Sequence, residues 1–170
     1  MKSSINRRIV LFCMLSLSLI SWDHVSKGLA KEHLRDQPAR SYLHDTFRLE
    51  YVENTGAAMS LADGLSRRAG LWLLGILPLA ALVGLFVYVV ANARDIRTSK
   101  LVALTLIFAG GMGNILDRLL FDRHVSDFMN VGLLAVRSGV FNFADLWITA
   151  GALWIVVDAF KQKNQPKSTV

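Results

Sequence analysis

The chain has 170 residues, of which 53% are apolar, and a formal net charge of +6. That apolar share is too high for an ordinary soluble domain, and the length suits a single domain spanning 1–170. Nine of the 19 basic residues fall in three groups, Lys2, Arg7 and Arg8, then Arg94, Arg97 and Lys100, then Lys161, Lys163 and Lys167. They occupy alternate loops between apolar runs, which is a membrane-topology pattern rather than a nucleic-acid surface.

The pattern predicts a multi-pass protein of the cytoplasmic membrane with four spans and both termini in the cytoplasm. Acidic residues lean the other way: Glu32, Asp36, Asp45, Glu50, Glu53 and Asp63 all fall in the first outside loop. A lone Cys13 excludes an internal disulfide and a multi-cysteine metal site. His24, His33, His44 and His124 show no ligand spacing, so no metal and no cofactor are expected.

Span one is expected over about residues 9–30. Its apolar run ends in Trp22-Asp23-His24 rather than in small residues, so it reads as a retained helix and not a cleaved signal peptide. Asp23 and Lys27 are four apart and share a helix face, where they can pair or snorkel to the interface.

The loop 31–68 contains an alternating stretch, Thr46 to Val52, that predicts a half-buried strand, followed by turn residues Asn54-Thr-Gly56. A small extracytoplasmic β-sheet between helices 1 and 2 follows. Ala57 to Leu61 is expected to dip toward the bilayer. Span two, 69–91, is uncharged and should kink at Pro78.

Span three, 101–121, places Gly110, Asn114, Asp117 and Phe121 on one inward stripe, with glycines permitting close helix approach. The loop 122–143 suggests an amphipathic surface helix around Phe128 to Val136. In span four, 144–160, Asp145, Thr149, Ala152, Val156 and Ala159 are expected on the inward face. Trp147, Leu153, Trp154 and Phe160 are left for lipid. The tail after Lys161 should be disordered. The fold class is thus an all-α membrane protein of four transmembrane helices plus the small sheet.

Polar groups in hydrocarbon cost at least a few kcal/mol when unpaired, so the Asn, Asp and Arg of 110–145 need a purpose. Asp127 and Asp145 stand at the mouths of successive apolar segments on one side, and they are the candidate catalytic pair. Two nearby carboxylates split their proton affinities, one serving as acid and the other as base. On spacing alone two other readings stay open. Each Asp can cap or ion-pair its own element, Asp127 with Arg123 or His124, or the carboxylates can form a proton or ion pathway.

Five blocks in order carry a resemblance. They are Asp23-His-Val-Ser-Lys27, Asn54-Thr-Gly56-Ala-Ala58, Gly113-Asn114-Ile-Leu-Asp117-Arg118, Val125-Ser-Asp127-Phe128 and Phe141-Asn142-Phe-Ala-Asp145. With four spans in matching places, the chain resembles the lipoprotein signal peptidases, the type II bacterial signal peptidases, over nearly its whole length. The resemblance implies an aspartic endopeptidase with Asp127 and Asp145 catalytic. Asp23, Lys27, Asn54, Gly56, Asn114, Asp117, Arg118 and Asn142 would line or brace the substrate site.

It also implies a diacylglyceryl-modified prolipoprotein substrate cut before the lipidated cysteine, contact with membrane lipid, inhibition by peptide-like compounds of the globomycin type, and an active site at the outer face of the bacterial inner membrane. His24, Met59 and Leu146 depart from the family pattern, which touches substrate and inhibitor fit and not the reaction class. A proton-coupled transporter is the first rival, but its relay should reach both membrane faces, and these carboxylates cluster in the outer half. A non-catalytic assembly factor is the second.

Overall fold

Apolar residues without a proline carry the first helix, α1 (Lys2–Leu34). At 1.5 Å per residue it is about 50 Å long, more than the ~30 Å hydrocarbon core requires. Asp36 ends it by taking a left-handed φ of 60°, while Gln37 N–H donates to Leu34 O at 3.1 Å. The structure, a computed structural model, describes residues 2–54, 66–133 and 136–163. Gly56, Met59, the Ala57–Leu61 stretch and the tail beyond Lys163 lie outside the described residues.

The second crossing is built from α2 (Arg67–Leu71), a π-helical turn (Trp72–Ile76) and α3 (Leu77–Asn92). The irregularity expected at Pro78 takes this form. Pro78 has no N–H to return to the preceding turn, and its ring crowds the carbonyl there, so the turn before it widens. Two further helices follow, α4 (Thr98–Leu120) and α5 (Phe143–Lys163). Among the described residues, four helices are long and apolar enough to cross a membrane: Ile5–Leu34, Arg68–Asn92, Thr98–Leu120 and Phe143–Lys161.

The central helix is α4, which packs against α1, α3 and α5. Its contact with α5 is close because glycine permits it. A Cβ on Gly110 would overlap the Ala144 carbonyl, and one on Gly151 would come within 2.6 Å of Ala103 O. Phe12, Val89, Ile96, Leu101 and Leu104 form the apolar core at the opposite end, with Cys13 packed against it. There Arg8 donates to the carbonyls of Ala93 and Ile96 at 3.0 and 2.6 Å, satisfying groups that follow the end of α3.

The inward face of α5 agrees with expectation at Asp145 and Thr149, which border an open cavity, and differs beyond them. Ala144 and Gly151 are buried and Ile148 and Ile155 partly so, while Ala152, Val156 and Ala159 are exposed. Both faces of this helix carry small residues, and the glycine and alanine opposite on α4 select the Ala144–Gly151 face. Trp147 stacks on Phe143 with ring centroids 5.8 Å apart and is only partly exposed. Phe121 leaves the expected inward stripe: it is exposed beneath Lys31, whose Nζ lies 5.2 Å from its ring.

Above the membrane helices is a four-stranded antiparallel sheet in the order β1 (Arg40–Tyr42), β2 (Phe47–Asn54), β3 (Val125–Leu133) and β4 (Val136–Arg137). The sheet expected between the first two helices is present, and the second loop supplies its other half. The surface helix expected around Phe128 to Val136 is not what the described residues form: 128–133 lie in β3 and Val136 opens β4, because β2 offers an edge that pairs Phe47 with Val131 and Asn54 with Val125. Phe128 and Met129 bury against Ala30 and Leu34, so the overhang of α1 is the floor of the sheet.

Candidate active site

The first turn of α5 leaves backbone N–H groups without helical partners. Asn142 and Asp145 satisfy two of them reciprocally. Asp145 N–H donates to Asn142 Oδ1 at 3.1 Å, and Asn142 N–H donates to Asp145 Oδ2 at 3.1 Å. This is a capping box with Asn and Asp in the two roles. A third orphan, Ala144 N–H, donates to Asp23 Oδ1 of α1 at 2.8 Å.

Asp127 arrives from β3. The register between β2 and β3 shifts between Leu49 and Val52, which sets Val52 opposite Asp127 and brings Asn54 alongside. Asn54 Nδ2 donates to Asp127 Oδ2 at 3.0 Å, and Asn142 Nδ2 donates to Asp127 Oδ1 at 2.6 Å. The alternative pairing with Arg123 or His124 does not form; His124 Nδ1 lies 3.0 Å from Phe121 O instead. Asp127 is 3% exposed. Burial, and then the charge of Asp145, push its carboxyl up to about 6 against the opposing pull of the two amides.

Asn114 of α4 joins these groups to a buried charge cluster. Its Nδ2 donates to Asp145 Oδ1 at 2.9 Å, and its Oδ1 accepts from Asn142 Nδ2 at 3.2 Å and Lys27 Nζ at 3.1 Å. Lys27 Nζ also lies 2.6 Å from Asp23 and 3.1 Å from Asp117. The Asp23–Lys27 pair does not snorkel: the two residues are 1% and 4% exposed. Asp117 Oδ2 in turn accepts from Ser126 N–H at 3.3 Å, beside Asp127.

A cavity of about 420 Å³ opens on this network. Asp127, Asp145, Asn54, Asn114 and Arg118 supply its polar wall, and Val140, Phe141, Leu146 and Ile148 much of its apolar wall. Arg118 donates to Asn114 O at 3.2 Å, and its charge acts on Asp145, Asp127 and Asp117. Two carboxylates from different elements, both held by amide donors at an open cavity, suit acid–base work on a bound carbonyl.

Residues 15–161 match the family model described as Signal peptidase (SPase) II. The chain belongs to this family. The peptidase is 31% identical over 160 residues to a lipoprotein signal peptidase of Fusobacterium nucleatum subsp. nucleatum, covering 93% of this chain and 92% of that one. It is 32% identical over 173 residues to one from Borrelia duttonii, covering 98% of each.

Two solved structures, both described as bacterial membrane enzymes determined by the in meso method, share the fold. One has a TM-score of 0.77 at 23% identity, covering 94% of this chain and 93% of the other. The second has a TM-score of 0.75 at 24% identity, covering 94% of each. With four apolar helices and bacterial relatives, the chain is a multi-pass bacterial membrane protease.

Of the residues expected at the site, Asn54, Asn114, Arg118, Asp127 and Asp145 line the cavity of the peptidase. Asp23, Lys27, Asp117 and Asn142 stand behind it and are buried. Gly56 lies outside the described residues. Ser126 was not anticipated, nor was Tyr51, whose hydroxyl lies 3.1 Å from Ser126 Oγ. The bridging role of Asn142 had a local signal, since Asn-x-x-Asp before an apolar run is a capping-box pattern. Ser126 and Tyr51 had none, because their proximity depends on the pairing of β2 with β3.

Proposed function

We propose that this peptidase removes signal peptides from diacylglyceryl-modified prolipoproteins by an aspartic mechanism, cutting just before the lipidated cysteine. The observation that carries the mechanism is the pair of carboxylates, Asp127 and Asp145, tied through Asn142 at one open cavity. The relatives' name supplies the substrate class.

Asp145 takes a proton from the attacking water as that water adds to the scissile carbonyl. Asp127, whose carboxyl is pushed up to about 6, is the natural holder of a proton. It donates that proton to the developing oxyanion or to the departing amine. Arg118 and Asn54 line the cavity and hold the peptide backbone in place of water. The apolar wall of Val140, Phe141, Leu146 and Ile148 receives the acyl-bearing segment and sets the fit of lipid and of globomycin-type inhibitors.

The whole chain acts as one domain, with both termini in the cytoplasm and the sheet and catalytic pair at the outer face of the inner membrane. The test is a cleavage assay in nanodiscs with paired precursor peptides, one diacylglyceryl-modified and one with a bare cysteine. Cleavage of the modified peptide alone, with the new N-terminus at the cysteine, is expected. Equal cleavage of both would contradict the substrate assignment.

A further inference from the structure

We propose that Lys27 is a positioning residue that acts on the catalytic pair through Asn114 and does not touch substrate. This rests on the reading of Asp127 and Asp145 as the catalytic carboxylates. Lys27 is 4% exposed and is absent from the cavity wall. Its ammonium meets three oxygens, Asp23 Oδ2 at 2.6 Å, Asp117 Oδ2 at 3.1 Å and Asn114 Oδ1 at 3.1 Å. An ammonium has three donors and no acceptor, so only the amide oxygen of Asn114 can face it.

That constraint settles the direction of the next bond. With the oxygen held by Lys27 and by Asn142 Nδ2 at 3.2 Å, the Asn114 nitrogen is left to donate to Asp145 Oδ1 at 2.9 Å. Lys27, Asn114 and Asp145 form a one-way chain of donors ending on the carboxylate. The charge at its head polarises the amide and strengthens the last bond, an effect that a neutral Asn142 donor alone does not supply.

The other groups facing Asp145 are Arg118 of α4, Asp127 of β3 and the Asn142 cap; those facing Lys27 are Asp23 of its own helix and Asp117 of α4. Removing Lys27 weakens the bond that holds the Asp145 carboxylate, and the rate profile against pH shifts with it, its acid limb moving up. It also strands two buried carboxylates, which can unfold the chain.

The experiment therefore uses two variants of the full chain in nanodiscs, Lys27→Met and the neutral triple Asp23→Asn/Lys27→Met/Asp117→Asn. The triple keeps oxygen acceptors for the Ala144 and Ser126 N–H groups and strands no charge. It carries the test if the single variant does not fold. Rates are measured against pH with a lipid-modified precursor peptide and normalised to folded protein.

Both variants are expected to lose about 10-fold in kcat, as outer partners of reacting groups do, with KM changed less than about 2-fold. The acid limb should move up in both. Formal cluster charge falls in the single variant and rises in the triple, so an effect acting through space alone would move the triple's acid limb down. That downward shift, an unchanged kcat, or a rise confined to KM would each overturn the proposal. Loss of cleavage assigned to Asp127 and Asp145 is tested separately below, so failure here leaves that reading standing.

Discussion

Asn142 and Asp145 cap one another at the start of α5, each accepting the other's backbone N–H at 3.1 Å. The carboxylate proposed as catalytic is thereby also a structural one. Its Oδ2 holds the helix end while its Oδ1 meets Asn114 at the cavity. Two of the three readings open on spacing, capping and catalysis, are compatible in the same side chain.

This dual role separates two variants of Asn142. Asn142→Ala should cost about 1 kcal/mol of stability through the lost cap, and it also removes the 2.6 Å donor to Asp127. Asn142→Ser keeps a capping oxygen and loses the amide. Thermal unfolding of the serine variant should return toward wild type while cleavage stays impaired. Recovery of both together would mean that Asn142 serves the helix alone.

The Asp127 carboxyl, pushed up to about 6 by burial and by Asp145, makes a signed prediction for pH. An ordinary aspartate titrates near 3.9. Between about pH 4 and pH 6 the folded chain holds more protons than the unfolded chain, so stability falls as pH rises through that window. Asp127→Asn should flatten this dependence in detergent melts at pH 4.5 and 6.5. The kcat/KM profile should show an alkaline limb from about 6 upward as the acid is lost. Arg118→Gln removes a charge that acts on Asp127, so that limb should move higher while the rate falls.

Much of this arrangement was legible in the residues before any fold was available. Long apolar runs and alternating Lys/Arg loops marked the four helices, and the Asp and Asn residues at their mouths marked the site. What escaped was non-local. Val125 to Leu133 carries apolar residues that fit a helix stripe as readily as a strand. Only the edge of β2, some 75 residues earlier in the chain as in the Tyr51–Ser126 contact, decides for a strand. The inward face of α5 escaped for a similar reason, because small residues occur on two of its sides and the glycines of α4 make the choice.

Those glycines can be tested directly. A Cβ at Gly110 would overlap the Ala144 carbonyl, so Gly110→Ala must displace the first turn of α5 and with it Asp145. A loss of about 1–3 kcal/mol is expected, as for other overpacked sites, together with lower activity. Gly84 of α3 meets nothing within 4 Å. Gly84→Ala should be neutral or stabilising by up to about 1 kcal/mol, measured by denaturation of the two variants side by side.

Topology is tested with Cys13 replaced by serine and single cysteines placed at Arg40 on β1 and Thr98 at the start of α4. Arg8 reaches Thr98 from α1 at the end of the bundle away from the sheet. An impermeant thiol reagent on intact spheroplasts should label Arg40→Cys and leave Thr98→Cys untouched until the membrane is opened. The reverse pattern would place the sheet and the carboxylates in the cytoplasm.

The most direct measurement is the cleavage rate of a diacylglyceryl-modified precursor by Asp127→Asn and Asp145→Asn, each purified folded. Residues that act as a unit lose nearly all function when one is removed. Both variants should fall below about 1% of wild type, while Asp158→Asn, near the far end of α5, should stay close to it. A rate above about 5% of wild type in either variant would contradict the assignment of that residue to a catalytic pair.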